Sequence, residues 1–159
     1  MPGVATIEVV DSRPDALALG KDRVEELPDK SLRPQIRWLS TLEAATPNGD
    51  LCIIATQSVG RCQLVKDVVM ARGYSSFLIE KVVSQSVAEM EGLLQFSNDN
   101  NLSVWVNCQS RAYPIHQKAK RLLGTGEPLS FSVSGGNHGL ASNGIHHADL
   151  FSYYDDAEH

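Results

Sequence analysis

The chain has few of the features that direct a protein to membranes, nucleic acids or oxidising compartments. Its apolar runs are short and interrupted by polar residues, which argues against a transmembrane span. It has no long basic cluster and a formal net charge of −5, which argues against a nucleic-acid surface. Cys52, Cys62 and Cys108 lack the C-x-x-C spacing of metal and redox sites. We therefore expect reduced, incidental thiols and no bound metal.

Two further features are lacking near the start of the sequence. No basic region and apolar core follow Met1, so we expect no signal peptide and a cytoplasmic protein. No glycine-rich phosphate loop precedes the first predicted strand, which ends at Asp11. With 42% hydrophobic and 21% charged residues among 159, the composition is that of an ordinary globular chain with one buried core.

Short apolar segments alternate with segments of helical periodicity along most of the chain. Alternation of this kind predicts an α/β fold with one parallel sheet and helices on both faces. Glycine and proline between Gly124 and Pro128 indicate a boundary between residues 1–125 and 126–159. The predicted strands cover residues 4–10, 36–39, 51–55, 76–79, 102–106 and 129–133, and the predicted helices cover 16–27, 41–45, 59–71, 86–98, 114–123 and 143–154.

Polar residues follow several of the predicted strands. In an open parallel sheet, ligands bind at the carboxyl ends of the strands, so these residues are candidates for a site. His146 and Asp149 are three residues apart and share one face of the last predicted helix. The residues after the strands are Asp11, then Ala55, Thr56, Gln57 and Ser58, then Glu80 and Lys81, and then Asn107 and Arg111.

The order of these motifs resembles the oxidoreductase family of glucose–fructose oxidoreductase, inositol dehydrogenase and MocA-like proteins. The resemblance implies a Rossmann-like dinucleotide-binding domain over residues 1–125 and the beginning of an α+β domain over 126–159. It implies hydride transfer between NAD or NADP and a sugar, cyclitol or related alcohol. On that template the chain lacks the first strand with its G-x-G-x-x-G turn and most of the second domain's sheet. We therefore expect a fragment that is weakly active or inactive alone.

The resemblance assigns cofactor contacts to the residues that follow the first, third and fourth predicted strands. Asp11 would accept hydrogen bonds from the ribose hydroxyls, which slightly favours NAD over NADP. The small Ala55 would let the backbone approach the cofactor. Without the resemblance, Asp11 is a turn residue that caps the next helix, and residues 55–58 supply the N-cap of the helix near Val59. The other cofactor contacts would be Thr56, Gln57, Ser58 and Glu80.

The resemblance assigns catalysis and substrate binding to the remaining candidate residues. Lys81 would hydrogen-bond the reacting oxygen and His146 would be the acid/base, while Asn107, Arg111 and Asp149 would line the substrate cleft. The alternative for Lys81 is a solvent-facing ion pair. An alternative for the histidines, zinc binding by His138, His146 and His147, ranks low because the spacing lacks HExxH form. The family pattern is broken at Gln57, Arg61, Val82 and Ser142, where relatives commonly carry proline, histidine, proline and aspartate.

A second functional hypothesis is a non-catalytic relative. It would bind a nucleotide or a sugar without turnover, or would act only through association with another chain. The absent glycine turn and Ser142 favour it. The open edges of a sheet cut from a larger one would pair with another chain, so we expect a homo-oligomer. We expect no nucleic-acid or membrane partner.

Overall fold

The computed structural model describes residues 6–28, 35–123, 128–136 and 139–155. Parallel strands flanked by helices confirm the predicted α/β class. The strands are β1 (Ile7–Val10), β2 (Ile36–Leu39), β3 (Cys52–Ile54), β4 (Ser76–Ile79) and β5 (Ser103–Val106), and the helices are α1 (Pro14–Glu25), α2 (Arg61–Arg72), α3 (Val87–Asp99), α4 (Pro114–Leu123) and α5 (Leu140–Asp155). Short 3₁₀ turns cover Leu42–Ala44 and Gln109–Ala112.

The strands form two parallel sheets, where the sequence predicted one. Strand β1 pairs with β2, and a separate sheet has the order β3-β4-β5. The prediction of a single sheet is wrong because no hydrogen-bonded ladder joins β1 to β3 among the described residues. The alternation of strands and helices along the sequence predicts the number of strands, but it does not show which strands pair with each other.

The core lies on one face of the three-stranded sheet. Phe77 and Ile79 of β4 are fully buried there, together with Val65 of α2. Leu93 of α3 belongs to the same cluster. Helices α2 and α3 therefore cover this face, as the apolar spacing of both segments predicted.

Glycines set both ends of helix α2. Gly73, the C-cap, has a left-handed conformation and its N–H donates to the carbonyl of Val69 at 2.8 Å. Gly60, with φ of 73°, is the N-cap, so the helix begins at Arg61 rather than at Val59. A residue in the left-handed conformation interrupts a right-handed helix, and glycine adopts that conformation without steric cost because it has no Cβ.

The prediction of a strand over residues 129–133 is wrong. Residues 128–136 contain no strand, and Phe131 instead lies against the aromatic rings of Phe151 and Tyr154 on α5. A strand needs an edge to pair with, and here the apolar side chains pack on a helix. The proposed domain boundary at 125/126 lies outside the described residues, as do residues 4 and 5 of the first predicted strand, and that boundary stays a prediction.

The two sheets are connected through the loop after β2. The Glu8 carboxylate of β1 accepts hydrogen bonds from the backbone N–H and the hydroxyl of Thr46, at 2.8 and 2.7 Å, and forms an ion pair with Arg37. Arg72 of α2 donates from Nε to the carbonyl of Leu42 at 2.9 Å. The loop thus binds β1 on one side and α2 on the other.

Replacing Phe77 by alanine tests the position of the core. We expect Phe77→Ala to lower the free energy of unfolding by about 3–5 kcal/mol, because the change removes a fully buried ring and leaves a cavity. Met70→Ala on the exposed side of α2 is the control and should change stability by less than about 0.5 kcal/mol. Urea denaturation followed by circular dichroism measures both. Equal stability of the two variants would contradict this core.

The Glu8 cluster predicts a dependence of stability on pH. Burial opposes ionisation of Glu8, but hydrogen bonds from Thr46 and the charge of Arg37 outweigh it and hold the Glu8 pKa below its ordinary value of 4.5. The stabilisation is therefore present above pH 4.5 and is lost as pH falls below that value. Glu8→Gln should flatten thermal stability over this acid range. Glu91→Gln, on the exposed face of α3, should leave the wild-type slope unchanged.

Candidate functional site

The carboxyl ends of β3, β4 and β5 lie side by side. Their ladder continues one residue beyond the strands, since Glu80 N–H donates to Ile54 at 3.0 Å and Asn107 N–H donates to Ile79 at 2.8 Å. Residues that follow the three strands therefore share one edge of the sheet. Ligands bind at this edge in open parallel sheets.

Arg61, the first residue of α2, links the loops at this edge through hydrogen bonds. Its side chain is only 4% exposed, and its guanidinium donates to the backbone carbonyls of Thr56, Glu80 and Val82. Burial lowers the Arg61 pKa, and the nearby Glu80 charge opposes that shift. These bonds join the loop after β3 to the turn after β4. The sequence indicates at Arg61 only a departure from a family pattern, because nothing in its spacing reveals that it is buried.

Glu80 and Asn107 form a direct pair between β4 and β5. The Asn107 amide Nδ2 donates to Glu80 Oε1 at 2.5 Å. The sequence assigned Glu80 to the cofactor and Asn107 to the substrate. The hydrogen bond places both side chains at one point of the edge, and it occupies one acceptor of the carboxylate.

Helix α5 packs beside the ends of β4 and β5. Lys81 Nζ donates to the Ser142 carbonyl at 3.0 Å, and Arg111 binds the Asp149 carboxylate with two nitrogens, the Nε bond measuring 3.0 Å. Ser142, His146 and Asp149 follow one another at helical spacing on one face. His146 therefore lies on the helix between the turn that Lys81 contacts and the turn that Arg111 contacts.

One nitrogen of the His146 imidazole lacks a hydrogen-bond partner in the described part of the chain. Its Nδ1 is buried and has no hydrogen-bond partner within the described residues. A buried ring nitrogen without a partner is unfavourable in the absence of a ligand or water. The role of His146 as an acid/base stays a prediction.

Arg111 already makes several contacts within the protein. The hydrogen bond to Asp149 raises the pKa of Arg111 above its usual value despite partial burial. The guanidinium carbon also lies 5.6 Å from the ring centroid of Tyr153. Arg111 therefore links the segment after β5 to helix α5, and its role in substrate binding stays a prediction.

Cys108 lies within the site, which the sequence analysis missed. Burial raises the pKa of its thiol and the charge of Asp149 raises it further, while Arg111 and Lys81 lower it. The charged groups that influence this thiol, which are Asp149, Arg111, Lys81 and Glu80, are all candidate site residues. A single cysteine without a characteristic spacing gives no such signal in sequence. Cys62, by contrast, belongs to the core.

The loop after β3 presents side chains to solvent. Ala55, Thr56 and Gln57 are exposed, and Ser58 Oγ accepts a hydrogen bond from Gln85 Nε2 at 3.0 Å. The alternative that this loop supplies the N-cap of α2 is wrong, because the cap is Gly60 and no side chain bonds to it. Its contact with a cofactor stays a prediction.

Asp11 ends β1 in the other sheet. Its carboxylate accepts a hydrogen bond from the Arg13 N–H at 2.9 Å, and the Arg13 side chain approaches to 3.5 Å. This backbone bond outweighs desolvation and lowers the Asp11 pKa, with smaller help from the Arg13 side chain. Asp11 thus makes the turn contacts of the simpler alternative, and a ribose role stays a prediction.

The described residues contain neither a metal-binding cluster nor a membrane-spanning helix. In residues 6–28, 35–123, 128–136 and 139–155, no three His, Cys, Asp or Glu side chains group closely enough to hold a metal ion. The zinc alternative involved His138, which lies outside the described residues. No helix in the described part of the chain has the length and apolarity to cross a bilayer.

Solved structures with a similar fold are oxidoreductases and a regulator. An oxidoreductase from Agrobacterium radiobacter, in complex with NAD⁺, L-tartaric acid and magnesium, is 18% identical, with a TM-score of 0.69 over 92% of this chain and 46% of its own. The transcriptional regulator Gal80p from Kluyveromyces lactis is 17% identical, with a TM-score of 0.71 over 93% of this chain and 43% of its own. No family model and no curated protein matches.

A third similar structure contains a nucleotide sugar. The WlbA dehydrogenase from Bordetella pertussis, in complex with NADH and UDP-GlcNAcA, is 20% identical, with a TM-score of 0.57 over 74% of this chain and 33% of its own. The chain spans less than half the length of each of the three. At these identities the comparisons show a shared Rossmann-like fold.

Arg61→Lys tests whether the guanidinium fork organises the site. Lysine keeps the charge but cannot reach three carbonyls, so we expect a loss of about 2–4 kcal/mol in unfolding free energy. Arg121→Lys, the same change on the exposed end of α4, should have almost no effect. Urea denaturation measures both variants. A fully stable Arg61→Lys protein would show that the fork is dispensable.

Alkylation of Cys108 tests the charges around it. Asp149→Asn removes a negative neighbour and should speed iodoacetamide labelling of Cys108 at pH 8 by about three- to tenfold, because more thiolate forms. Cys52, whose pKa burial raises to about 11, is the internal control and should keep its slow rate. Peptide-resolved mass spectrometry measures each thiol. An unchanged Cys108 rate would place Asp149 away from it.

Proposed function

We propose that this chain is part of an NAD(P)-dependent oxidoreductase that acts on a sugar, a cyclitol or a related alcohol. The observation that carries the proposal is the packing of α5 beside the ends of β4 and β5. That packing brings the Lys81 ammonium to the turn before His146, beside the Glu80–Asn107 pair. The NAD-bound oxidoreductases of similar fold support the same class.

The proposed chemistry divides between a base and a hydrogen-bond donor. His146 takes the hydroxyl proton of the alcohol as the hydride leaves the same carbon, and its unpartnered ring nitrogen is suited to receive that proton. Lys81 donates a hydrogen bond to the reacting oxygen and favours its deprotonation. In the reverse direction, His146 returns the proton to the carbonyl oxygen. A positioned acid/base of this kind contributes about 10²–10⁴-fold to a rate.

In this proposal the dinucleotide contacts residues that follow β1 in one sheet and β3 and β4 in the other. Asp11 ends β1 with a carboxylate that can accept hydrogen bonds from ribose hydroxyls, which favours NAD over NADP. The exposed Ala55 and Thr56 leave the backbone after β3 open to a flat ring. When bound, the nicotinamide supplies only the hydride acceptor or donor. Gln57, Ser58 and Glu80 complete the cofactor side of the proposed site.

Substrate recognition would fall to the other half of the edge. The Asn107 side chain bonds Glu80 through its nitrogen, so its amide oxygen could accept a hydrogen bond from a substrate. The guanidinium of Arg111 could donate to a substrate from N–H groups that do not bond Asp149. Hydroxyl groups of a sugar match donors and acceptors of this kind. L-tartaric acid and UDP-GlcNAcA in the similar structures are likewise rich in oxygen.

A non-catalytic binding protein is the second candidate. The regulator Gal80p has the same fold and aligns with 93% of this chain. Ser142 of α5 supplies only a carbonyl to Lys81, where an acid would complete a proton relay. This candidate keeps the ligand at the same edge and omits turnover.

The test is oxidation of a panel of polyols, sugars and sugar acids with millimolar NAD⁺ or NADP⁺, followed by absorbance of the reduced nicotinamide. We expect slow turnover of at least one substrate, reduced about 100-fold or more in Lys81→Met and in His146→Gln. His147→Gln is the matched control, since it changes the adjacent histidine on another face of α5, and it should retain the rate.

Binding measurements separate the two candidates. NADH fluorescence titrations and saturation-transfer NMR with the same panel detect ligands independently of turnover. Binding without turnover would support the non-catalytic protein and reject the dehydrogenase. Turnover that survives both Lys81→Met and His146→Gln would reject the roles given to these residues. Absence of both binding and turnover would reject both candidates for residues 1–159.

A further inference from the structure

The edge formed by the ends of β3, β4 and β5 with helix α5 has more cations than acids. Among the described residues there, Arg61, Lys81 and Arg111 are positive, whereas Glu80 and Asp149 are negative. The whole chain has a formal net charge of −5, so this positive excess is local. A local excess of one sign attracts a ligand of the opposite sign.

Both acids at this edge already have partners. Asp149 forms an ion pair with Arg111. The Glu80 carboxylate accepts a hydrogen bond from Asn107, and the Glu80 backbone carbonyl accepts one from Arg61. Burial lowers the Arg61 pKa and the Glu80 charge opposes that shift, so the two charges interact. Neither acid is left to balance a third cation.

Lys81 is the cation without an acidic partner at this edge. The residue is half-buried, and its ammonium forms no ion pair with any described residue. The one hydrogen bond that Nζ makes to a described group, at 3.0 Å, goes to the neutral carbonyl of Ser142. An ammonium has three N–H donors, so two remain for a bound molecule. An anion beside a partly buried cation offsets the loss of water around its charge.

The carbonyl that Lys81 contacts lies one helical turn before His146. Both Ser142 and His146 belong to α5, and in an α-helix the carbonyl of residue 142 accepts the N–H of residue 146. Side chains at this spacing are neighbours, with Cβ atoms about 5–6 Å apart. The Lys81 ammonium therefore lies at the turn of α5 that carries the imidazole, whose buried Nδ1 has no described partner.

We propose that this site takes a 2-hydroxy carboxylate, whose carboxylate pairs with Lys81 and whose hydroxyl bonds His146. As the identity of a substrate, this rests on the dehydrogenase function proposed above. A 2-hydroxy acid carries the two groups on adjacent carbons, so the two remaining N–H groups of Lys81 reach a carboxylate oxygen and the hydroxyl oxygen together. Oxidation gives a 2-oxo acid: the hydride passes from C2 to the nicotinamide of NAD(P)⁺, and the hydroxyl proton passes to His146.

Two other ligands fit this arrangement less well. A neutral sugar or cyclitol satisfies the hydroxyl contact but leaves the Lys81 charge unmatched. A phosphate of the cofactor matches the charge, but it brings no oxidisable hydroxyl to His146. A 2-hydroxy acid matches the unpaired charge and the unpartnered nitrogen with one small molecule.

Binding of matched acids and amides tests the proposal independently of turnover. The ligands are lactate with lactamide and glycerate with glyceramide, and within each pair the amide replaces the charged carboxylate by a neutral group of similar size. Saturation-transfer NMR measures each Kd in the presence of NADH, because a reduced cofactor cannot oxidise them. We expect both acids to bind with a Kd near about 1 mM and both amides to bind at least about tenfold more weakly, because a charge-assisted hydrogen bond is lost.

Two substitutions change the charge that the ligand meets. Lys81→Met should abolish the preference for acids over amides, whereas Lys118→Met, at an exposed position of α4, should retain it. Ser142→Asp puts a carboxylate on the turn that Lys81 contacts, so it should weaken acid binding at least about tenfold and change amide binding little. Ser152→Asp, the same change at an exposed position of α5, should retain the preference. Circular dichroism checks that each variant is folded.

Separate measurements of binding and turnover distinguish failure of this inference from failure of the proposed function. Acid binding that depends on Lys81, without turnover in NAD(P)⁺, supports the ligand class and rejects only the dehydrogenase. Oxidation of glycerol or myo-inositol with a kcat/KM at or above that of the acids leaves the dehydrogenase intact and overturns this inference.

Three binding results would also overturn the inference. The first is equal affinity for acids and amides, and the second is an acid preference that Lys81→Met leaves intact. The third is a loss of NADH affinity in Lys81→Met with acid affinity unchanged, which would assign the Lys81 charge to a phosphate of the cofactor. Absence of both binding and turnover would reject this inference together with the proposed function.

Discussion

The buried guanidinium of Arg61 is the interaction on which the candidate site depends. It bonds to backbone carbonyls beyond β3 and beyond β4, so it sets the path of the chain at the point where the parallel ladder ends. Those carbonyls would otherwise lack partners in a partly buried edge, at a cost of about 1–3 kcal/mol each. With the edge held in this way, Lys81 leaves β4 in the direction of α5.

Helix α5 is anchored beside that edge at two points. Its contacts come in pairs: a cation from the β4 edge binds the first turn at Ser142, and a cation from the β5 edge binds Asp149 two turns later. His146 lies between these anchors with a buried nitrogen that no described group satisfies. The anchoring bonds use charge to fix geometry, while the unpartnered nitrogen belongs to the residue that we propose as the acid/base. This division between fixed and available groups is typical of sites that are preorganised.

The same residues also explain why the molecule has an uncovered side. The core forms where α2 and α3 cover Phe77 and Ile79, and the opposite row receives no helix from the described residues. The Glu8–Thr46 bonds keep the two-stranded sheet attached through a loop rather than through a strand. Attachment by a polar loop leaves the edges of β1 and β3 unpaired. The fold thus combines a core on one face of the three-stranded sheet with an apolar row on the other face that no described helix covers.

The sequence by itself determined the element types and the order of the site residues, because hydrophobic periodicity and strand-end positions are local. It predicted the carboxyl-edge group of Glu80, Lys81, Asn107 and Arg111, and the helical face of His146 and Asp149. It could not determine that the strands divide into two sheets, that residues 128–136 pack on α5 without pairing, or that Arg61 and Cys108 adjoin the site. Those features were decided by tertiary structure, since edge pairing, burial of a cation and the neighbours of a thiol depend on residues far away in the chain.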